Sequence, residues 1–246
     1  MIEFTKEDIF LVTGASSGIG KGVAQKLNEL GASVIAVARS VEKLEETKQS
    51  SKYPENIYLE PKDLTDNIED LPNFVKLLKE KYGKLRGLVC CAGVDKPISL
   101  RMLNYTESKK IFDVNYFAPL MLSKGFADKR NNIGNGATIT MIASIAGVHP
   151  DKGQLIYSAT KAALLASSKI ISKELSQSNI RVNCISPAEV ETPMYIEKNK
   201  MIGSDVNNYP LGIGQPEDIA NMVCYLVSKE ARWITGQNYV MDGGAF

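Results

Sequence analysis

The chain has 246 residues, 44% of them hydrophobic, which is ordinary for a globular protein with a substantial core. Its 29 basic and 28 acidic residues give a formal net charge of +1, and this balance argues against nucleic acid or an anionic membrane surface as the main partner. No apolar run approaches the roughly 18 residues of a membrane span, and charged residues near the start exclude the apolar stretch of a secretion signal. Four cysteines without paired CxxC spacing favour a reducing, cytoplasmic compartment.

Short apolar runs alternate with longer amphipathic segments along the chain. The predicted strands are, in order, IFLVTG, SVIAVA, NIYLEP, LRGLVCCAG, GATITMIAS and IRVNCIS. The predicted helices cover residues 18–30, which Gly31 closes as a C-cap, a charged segment from Val41, and residues 67–82, 105–129 and 155–177. The strands are apolar throughout, so both of their faces must be covered. This pattern predicts an α/β fold with a doubly wound parallel sheet flanked by helices on both faces, in a single domain over residues 1–246.

The segment TGASSGIG, residues 13–20, follows the first predicted strand and opens the first predicted helix. In a doubly wound sheet, ligands bind where the strand order reverses. Glycines at positions 14, 18 and 20 allow the backbone to approach a pyrophosphate, which the free amides at the helix start can bind. The Gly-x-x-x-Gly-x-Gly spacing is one residue wider than the usual dinucleotide fingerprint. A tight glycine turn without a ligand is the alternative interpretation.

Tyr157 and Lys161 belong to the segment YSATK, within the helix predicted over residues 155–177. Four residues turn a helix by about 400°, so the two side chains project from nearly the same face, one turn apart. An ammonium near a phenol stabilises the phenolate, which predicts a pKa for Tyr157 below the reference value of about 10 and proton transfer near neutral pH. An ordinary solvated pair on a helix surface is the alternative.

Six motifs occur in order along the chain: TGASSGIG, CAG at 91–93, VN at 114–115, Ser144, YSATK and SPAEVETPM. Together they resemble the short-chain dehydrogenase/reductase family over essentially the full length. Within its compact single-domain branch, the chain resembles 3-oxoacyl-[acyl-carrier-protein] reductases, most clearly in the ending GQPEDIANMVCYLVSKEARWITGQNYVMDGG. The resemblance implies a Rossmann-type fold and NAD(P)-dependent hydride transfer between the nicotinamide and a carbonyl or secondary alcohol.

The resemblance assigns catalytic roles to four residues. Tyr157 exchanges a proton with the substrate oxygen as hydride is transferred, and Lys161 lowers the pKa of that phenol and holds the ribose of the nicotinamide half. Ser144, at the end of TITMIAS, hydrogen-bonds the carbonyl where negative charge develops. Asn115 holds a water on the proton path to the lysine. From the residues alone, Ser144 is equally a strand-end cap, and Asn115 a polar helix residue.

Further residues are expected to hold the cofactor. Asp63 matches the family acid that contacts the adenine amino group, or it caps a turn. Thr192 offers a hydroxyl to the nicotinamide carboxamide, or caps the helix predicted to begin at Pro193, and the two roles are compatible. The complete predicted cofactor set is Gly14, Ser16, Ser17, Gly18, Ile19, Gly20, Arg39, Asp63, Leu64, Cys91, Ala92, Gly93, Tyr157, Lys161, Pro187, Val190 and Thr192. No metal ligand is predicted.

The end of the second predicted strand bears on the choice between NADP and NAD. NAD-preferring sites usually carry an acid there, whereas this chain has Ala38 followed by Arg39. Without a carboxylate to repel a 2′-phosphate, and with a guanidinium to bind it, NADP is predicted over NAD. A solvated arginine is the alternative, and Ser17 stands where many NADP-dependent relatives carry a basic residue.

The chain departs from the family pattern at several positions. Cys90 and Cys91 replace both asparagines of the usual NNAG, and burial as small apolar thiols is preferred over a redox role. Ala188 replaces the usual glycine after Pro187 and is expected to stiffen that loop. His149, the only histidine, is interpreted as a polar loop residue rather than a substrate contact.

The segment PMYIEKNKMIGSDVNN occupies the place of the family's substrate lid. Its candidate pocket residues are Met194, Tyr195, Ile196 and Met201, with Lys198 and Lys200 as candidates to bind a phosphate such as that of a carrier-protein arm. A solvated helix face is the alternative. A 3-oxoacyl thioester, linked to a carrier protein or to CoA, is the first expected substrate. A sugar, polyol or other small ketone or alcohol is the second. A non-catalytic dinucleotide-binding regulator is a third hypothesis.

The helix predicted over residues 155–177 is apolar around most of its circumference, beyond the single stripe that faces a sheet. The apolar residues are Ala159, Ala163, Leu164, Leu165, Ile170, Ile171 and Leu175. A sheet on one side and a partner subunit on the other would cover them. Because the family commonly forms tetramers through this helix and its neighbour, the resemblance implies a homotetramer or homodimer.

Overall fold

The structure is a computed structural model that describes residues 2–202 and 206–246. Its strands are β1 (Ile9–Thr13), β2 (Ser33–Ala38), β3 (Ile57–Pro61), β4 (Leu85–Cys90), β5 (Thr138–Ile142), β6 (Arg181–Pro187) and β7 (Asn238–Met241). They form one sheet in the order β3-β2-β1-β4-β5-β6-β7, with parallel neighbours throughout. The direction of winding reverses between β1 and β4, which confirms the predicted doubly wound sheet.

Helices cover both faces of this sheet. They are α1 (Gly18–Glu29), α2 (Val41–Gln49), α3 (Leu71–Tyr82), α4 (Tyr105–Phe112), α5 (Ala118–Ala127), α6 (Leu155–Ser176), α7 (Pro193–Ile202) and α8 (Pro216–Val227). Within the described ranges, no helix combines the length and apolar character needed to cross a bilayer.

Successive residues of β1 point to opposite faces, and each face has its own core. Phe10 and Val12 pack with Val23 of α1 and Val223 of α8. On the other face, Ile9 and Leu11 belong to the core that includes Val75 of α3, Leu122 of α5 and Leu164 of α6. The five residues of β1 are all buried, so the strand has no polar face, as the sequence predicts.

Two details of the helices differ from the sequence prediction. The helix predicted over 105–129 contains a π-helical turn, Asp113–Phe117, between α4 and α5. Pro119 lies in the first turn of α5 and has no N–H to donate, so a regular α-helical ladder cannot continue through this point. The helix predicted from residue 67 begins at Leu71, after a short 3-10 turn, Ile68–Asp70, with Pro72 in its first turn.

The last helix and strand, α8 and β7, were not among the predicted elements. β7 has only four residues, of which two are exposed, because it forms the edge of the sheet. Such a short, half-exposed strand lacks the continuous apolar run that marks the inner strands. The addition of β7 extends the sheet beyond β6 and places residues 241–246 beside the loop that follows β6.

Candidate active site

Two adjoining clefts open at the carboxyl ends of the strands. The larger, of about 470 Å³ and here called the large cleft, lies between the glycine turn after β1, the ends of β2 and β3, and the segment after β4. The smaller, of about 140 Å³ and here called the small cleft, lies between the ends of β4, β5 and β6 and the starts of α6 and α7. Both are lined by Ile19, Cys91, Gly93, Thr192 and Met194. A ligand that fills one cleft therefore reaches the other.

The glycine turn is shaped to expose backbone amides to the large cleft. Gly14 has a φ of +68°, and a Cβ there would lie 2.9 Å from the backbone nitrogen of Ala92. Gly20 packs against the carbonyl oxygen of Gly14, where a side chain has no room. Ser17, the N-cap of α1, makes no side-chain capping hydrogen bond, and the first turn holds no acid. The helix start is therefore free to bind an anion.

Thirteen of the seventeen residues predicted to hold the cofactor line the large cleft. They are Gly14, Ser16, Ser17, Gly18, Ile19, Gly20, Arg39, Asp63, Leu64, Cys91, Ala92, Gly93 and Thr192. The segment after β4 is held to β1 because Thr13 Oγ1 accepts hydrogen bonds from the backbone N–H groups of Cys91 (3.1 Å) and Ala92 (3.2 Å). A volume of about 470 Å³ lies within the usual range of small-molecule and cofactor sites, about 300–1,000 Å³.

Arg39 and Asp63 face each other at the far end of the large cleft. Arg39 Nη1 lies 3.9 Å from Asp63 Oδ2, and the arginine side chain is 76% exposed, so this contact leaves the guanidinium largely free. Asp63 Oδ1 accepts hydrogen bonds from the backbone N–H and the hydroxyl of Thr65. Burial raises the pKa of Asp63, but the Thr65 hydrogen bonds and the Arg39 charge outweigh it and leave that pKa below its ordinary value. The turn-capping interpretation of Asp63 is thus confirmed.

The small cleft brings together three of the four predicted catalytic side chains. Ser144, at the end of β5, and Tyr157 and Lys161, one turn apart on α6, all line it. Ser144 Oγ accepts a hydrogen bond from the backbone N–H of Ala146 at 3.2 Å, which makes it the cap of a short 3-10 turn. The Ser144 side chain also favours the ionised form of the Tyr157 phenol, which lines the same cleft. The cap predicted from the residues alone is confirmed, and the hydrogen bond from Ser144 to a substrate carbonyl, which the resemblance implies, stays a prediction.

The predicted lowering of the Tyr157 pKa is wrong for this structure. Burial raises the pKa of Tyr157 above its ordinary value, and the charges of Asp95 and Glu189 add to the rise; the Ser144 hydrogen bond opposes it only in part. Lys161 Nζ lies 5.6 Å from the centre of the Tyr157 ring and donates its hydrogen bond to the backbone carbonyl of Ile142, at 2.8 Å. The Lys161 ammonium is bonded to a main-chain oxygen rather than to the phenol. Burial is therefore the largest influence on the pKa of Tyr157.

Lys161 is itself perturbed by burial. Its side chain lies deep between β5 and α6, with 5% of the residue exposed. Removal from water lowers the pKa of Lys161 to about 8, against the opposing influence of Cys184, Cys91 and Asp95. The charge of this lysine is consequently poised close to neutral pH rather than fixed.

Asn115 lies beneath the clefts in the π-helical turn and lines neither of them. Its Nδ2 donates to the carbonyl of Val94 (2.9 Å) and to the hydroxyl of Thr160 (3.2 Å), and its Oδ1 accepts from the N–H of Val94 (2.8 Å). Both amide protons are thus engaged, and one lone pair of Oδ1 is left. A Cβ on Gly93 would lie 3.4 Å from Asn115 Oδ1 and 3.6 Å from Lys161 Nζ, so only this glycine separates the two side chains.

The loop after β6 forms the third wall of the small cleft. Pro187, Val190 and Thr192, which are predicted to contact the nicotinamide end of the cofactor, line this cleft. Thr192 Oγ1 accepts from the N–H of Tyr195 at 3.2 Å and caps α7, which begins at Pro193 as predicted. Ala188, in place of the usual glycine, donates its N–H to the carbonyl of Met241 at 2.9 Å and ties the loop to β7.

The two adjacent cysteines have the apolar character that the sequence analysis preferred. Cys90 is buried in β4, and Cys91 is partly buried between the clefts. Burial raises the pKa of the Cys91 thiol to about 12 and that of Cys90 further, so both are neutral thiols at physiological pH. His149 lines the small cleft, where its ring stacks on that of Phe246 at 5.4 Å. The histidine thus reaches the cleft, which its interpretation as an ordinary loop residue missed.

Several charged residues of the clefts were not predicted. Lys43 of α2 and Lys62 after β3 line the large cleft beside Arg39. Asp95 and Glu189 line the small cleft, on segments that follow β4 and β6. Lys43 lies five positions after the end of β2, and Lys62 lies directly before Asp63. Both lysines could therefore have been predicted from their position in the sequence. Asp95 and Glu189 become neighbours only through the fold.

The lid segment is partly described. Met194, Tyr195 and Lys198 line the small cleft, and Ile196 and Lys200 are exposed; the side chain of Met201 lies outside the described part. Lys198 Nζ lies 2.6 Å from Glu189 Oε1, so this lysine is already paired and is not a free phosphate ligand. Among the residues that the structure describes, no group of three or more His, Cys, Asp or Glu side chains could hold a metal ion.

Comparison with known proteins agrees with this geometry. A family model described as "Enoyl-(Acyl carrier protein) reductase" matches residues 14–245. The chain is 31% identical over 240 residues to the 3-oxoacyl-[acyl-carrier-protein] reductase FabG of Thermotoga maritima, covering 96% of each protein. The FabG of Rickettsia bellii is 35% identical over 237 residues, covering 95% of each. The 2,3-dihydro-2,3-dihydroxybenzoate dehydrogenase of Bacillus subtilis is 33% identical over 255 residues, covering 96% of this chain and 95% of the relative.

Solved structures share the whole fold. A short-chain dehydrogenase/reductase from Brucella melitensis has a TM-score of 0.91 at 26% identity, and the L-sorbose reductase of Gluconobacter frateurii, complexed with NADPH and L-sorbose, a TM-score of 0.90 at 29% identity. Each comparison covers 100% of this chain and 99% of the other. The parallel sheet, the glycine turn, the clustered Ser144, Tyr157 and Lys161, and these full-length matches lead to one conclusion: the chain belongs to the short-chain dehydrogenase/reductase family of NAD(P)-binding oxidoreductases.

Proposed function

We propose that this protein is an NADP-dependent carbonyl reductase in which Tyr157 protonates the substrate oxygen. The observation that supports the proposal most strongly is the small cleft, in which the hydroxyls of Ser144 and Tyr157 lie together above a buried lysine. This cleft opens directly into a second one of a size suited to a dinucleotide. When bound there, NADPH supplies the hydride that reduces the carbonyl carbon.

The residues of the large cleft fit such a group. The uncapped start of α1 and the glycine turn would hold the pyrophosphate, and Asp63 and Leu64 would contact the adenine. Pro187, Val190 and Thr192 would hold the nicotinamide end, and Lys161 the neighbouring ribose. Each assignment is supported by the position of the residue in the wall of the cleft where that part of the cofactor would lie.

The preference for NADP rests on charge at the far end of the large cleft. Arg39, Lys43 and Lys62 line this end, and Asp63 is the acid among them. The Asp63 carboxylate is already engaged by Thr65, and Arg39 is mostly exposed. A 2′-phosphate bound between these cations would gain charge-assisted hydrogen bonds that NAD cannot make.

Proton delivery follows from the perturbed phenol. Because burial raises the pKa of Tyr157, its hydroxyl keeps its proton at neutral pH and serves as a general acid, the role that reduction requires. Ser144 would donate a hydrogen bond to the same oxygen as negative charge develops on it. Asn115 holds the segment after β4 in place through Val94 and, with its remaining lone pair, would orient a water toward Lys161.

Two substrate classes are supported by different observations. The relatives named 3-oxoacyl-[acyl-carrier-protein] reductase favour a 3-oxoacyl thioester, linked to a carrier protein or to CoA. The second candidate is a small hydroxylated ketone, sugar or polyol. The names of the L-sorbose reductase and of the 2,3-dihydro-2,3-dihydroxybenzoate dehydrogenase favour it. The small volume of the small cleft and its charged walls favour this second class.

We also propose that the protein self-associates as a homotetramer or homodimer in the cytoplasm. Ile170 of α6 is 57% exposed and Tyr105 of α4 is 81% exposed, which leaves apolar surface on two neighbouring helices. A second copy of the chain would cover it. The four cysteines are free thiols, which suits a reducing compartment.

The test is NADPH oxidation by the wild type and by Tyr157→Phe with a panel of an acetoacetyl thioester, sugars and cyclic ketones. The phenylalanine variant should lose a factor of about 10³ in kcat, with the Kd for NADPH changed less than about threefold. Tyr53→Phe, which removes the hydroxyl of an exposed tyrosine that lines neither cleft, is the control. Equal turnover by Tyr157→Phe would disprove the mechanism, and NADPH binding without turnover of any carbonyl would favour a dinucleotide-binding regulator.

A further inference from the structure

Asp95 is the one carboxyl group at the small cleft that the proposed reaction does not use and that no described residue pairs. It lies two positions after Gly93 and lines the cleft with Ser144 and Tyr157. Its Oδ1 is shielded from solvent and has no hydrogen-bond partner within residues 2–202 and 206–246. A shielded acceptor without a donor is unfavourable, so such an atom in a ligand-binding cleft marks a place where a ligand is expected to donate.

The neighbours of Asp95 do not supply that donor. Lys198 has the largest cationic influence on Asp95, but its Nζ is engaged by Glu189 Oε1 at 2.6 Å. Lys161 Nζ donates to the carbonyl of Ile142 at 2.8 Å. Burial raises the pKa of Asp95, and Glu189 opposes its ionisation, which agrees with a carboxyl held away from both water and a direct cation contact.

The charges around the cleft also limit what the donor can be. Two lysines, Lys161 and Lys198, and two acids, Asp95 and Glu189, face it, so the cleft has no excess of either sign. A charged group on the substrate near the reacting carbon would therefore upset this balance and leave one charge in the cleft without a counter-charge. A neutral hydroxyl donates one hydrogen bond, adds no charge and fits a small volume.

We propose that Asp95 is a specificity-determining residue that accepts a hydrogen bond from a substrate hydroxyl next to the reacting carbon, so that the substrate class is the small hydroxylated carbonyl compound or its polyol product. This inference rests on the proposed reductase function and decides between its two substrate classes. A 3-oxoacyl thioester presents only carbonyl acceptors and a methylene group near the reacting carbon. It would bury Asp95 Oδ1 without a donor, whereas an α-hydroxy ketone would satisfy it.

The experiment compares matched ketones that differ by one hydroxyl: 3-hydroxybutan-2-one against butan-2-one, and 2-hydroxycyclohexanone against cyclohexanone, each with NADPH. The wild type should prefer the hydroxylated member by about 100-fold in kcat/KM, since a site built to bind a hydroxyl discriminates strongly against its absence. Asp95→Ala should reduce that ratio to within about fivefold, by losing activity on the hydroxylated member alone. Asp95→Asn, which keeps an acceptor oxygen, should restore most of the preference.

Matched controls separate this role from a general electrostatic one. Glu197→Gln removes an exposed carboxylate of α7 that does not line the cleft, and should leave the ratio unchanged. Thermal unfolding of each variant checks the fold. Equal losses by Asp95→Ala on both members of a pair, or a wild type that prefers the ketone without the hydroxyl or the acetoacetyl thioester, would overturn the inference.

A binding measurement keeps the inference distinct from the proposed reaction. Butane-2,3-diol and butan-2-ol are titrated into the wild type and Asp95→Ala, each saturated with NADPH. NADPH cannot reduce these alcohols, so the titrations measure binding without reaction. Tighter binding of the diol that is lost in Asp95→Ala supports the role of Asp95, even if no ketone is turned over and the reductase proposal fails. Turnover without any preference for hydroxylated ligands would refute the role of Asp95 alone.

Discussion

The large and small clefts share part of their lining but differ in the chemical groups that the rest of the lining presents. One end of the large cleft is the glycine turn with the uncapped start of α1, and the other carries charged side chains at the ends of β2 and β3. The small cleft brings together ionisable and hydroxyl side chains from separate segments, among them Ser144, Tyr157, Lys161, Asp95 and Glu189. The glycine turn lies within one short stretch of sequence, whereas these side chains of the small cleft meet only in the folded chain.

The difference separates two kinds of recognition. Backbone amides and a helix start bind any phosphate of the right size, so the large cleft suits a cofactor that many proteins share. Buried carboxyl, phenol and ammonium groups interact strongly with one another and depend on each neighbour for their protonation. Substitutions should therefore act on shape in the large cleft and on charge and proton position in the small one.

The largest expected effect on stability concerns the shape of the large cleft. Gly14→Ala places a Cβ 2.9 Å from the Ala92 nitrogen at a φ of +68° and should lower the free energy of unfolding. A loss of about 2–4 kcal/mol is expected from strain and overpacking together. NADPH binding should also weaken by at least about 100-fold, because the displaced turn no longer presents its amides. Urea denaturation and fluorescence titration with NADPH measure the two effects.

Gly134→Ala is the matched control for that variant. Gly134 also has a positive φ, +77°, but a Cβ there meets nothing within 4 Å. It should cost about 1 kcal/mol from the backbone conformation alone, with unchanged NADPH binding. If both glycine variants bound NADPH like the wild type, the glycine turn would not be the cofactor site.

The next effect concerns the proton chemistry of the small cleft. Ser144→Ala removes the hydroxyl beside Tyr157 and should lower kcat by about 100-fold, the usual effect of losing one donor to a developing oxyanion. The Kd for NADPH should stay the same. Ser158→Ala is the control, since Ser158 follows Tyr157 directly and its buried hydroxyl has no hydrogen-bond partner in the described part of the chain. Its removal should leave kcat intact; equal loss in both variants would indicate disturbed packing of α6 rather than chemistry.

Lys161→Met should stabilise the protein while abolishing its activity. Burial lowers the pKa of Lys161 from 10.5 to about 8, so the charged form disfavours the fold below pH 8, and the penalty is relieved as pH rises from 8 toward 10.5. The pKa difference corresponds to about 3 kcal/mol. The lost hydrogen bond to Ile142 subtracts about 1 kcal/mol, so a net gain of about 2 kcal/mol is expected at pH 7.

Denaturation of wild type and variant from pH 6 to pH 10.5 measures that gain, which should shrink above pH 8. Lys173→Met, at an exposed position of the same helix, is the control and should change the stability at neither end of this range. A methionine variant that is less stable than the wild type at pH 7 would show that Lys161 is not destabilising as an ammonium.

The sequence was sufficient for most of the fold because the inner strands are continuously apolar and the helices between them are long. It failed at β7, where four half-exposed residues at the sheet edge give no such pattern. It also failed to show the π-helical turn, Asp113–Phe117, although Pro119 was visible as a residue unable to continue the hydrogen-bond ladder.

For the site, the sequence placed Tyr157 and Lys161 correctly on one helix but predicted the wrong direction for the Tyr157 pKa. Helical spacing fixes which face two side chains share. It does not fix how deeply the phenol is buried, or that Lys161 Nζ turns to the carbonyl of Ile142. Asp95 and Glu189 were missed for the same reason, since their neighbours come from other strands.

The smallest effect that we expect tests the far end of the large cleft. Arg39→Ala should weaken NADPH binding by about tenfold and leave NADH binding within about twofold, because one charge-assisted contact to the 2′-phosphate is lost at an exposed position. Lys43→Ala should add a smaller loss in the same sense, and Lys48→Ala, further along α2 and not lining the cleft, should have none. Parallel titrations with NADPH and NADH at low and high salt measure the ratio, which should fall as salt screens the exposed guanidinium. Equal affinities for the two cofactors in the wild type would remove the assignment to NADP, while the backbone part of the large cleft would still account for dinucleotide binding.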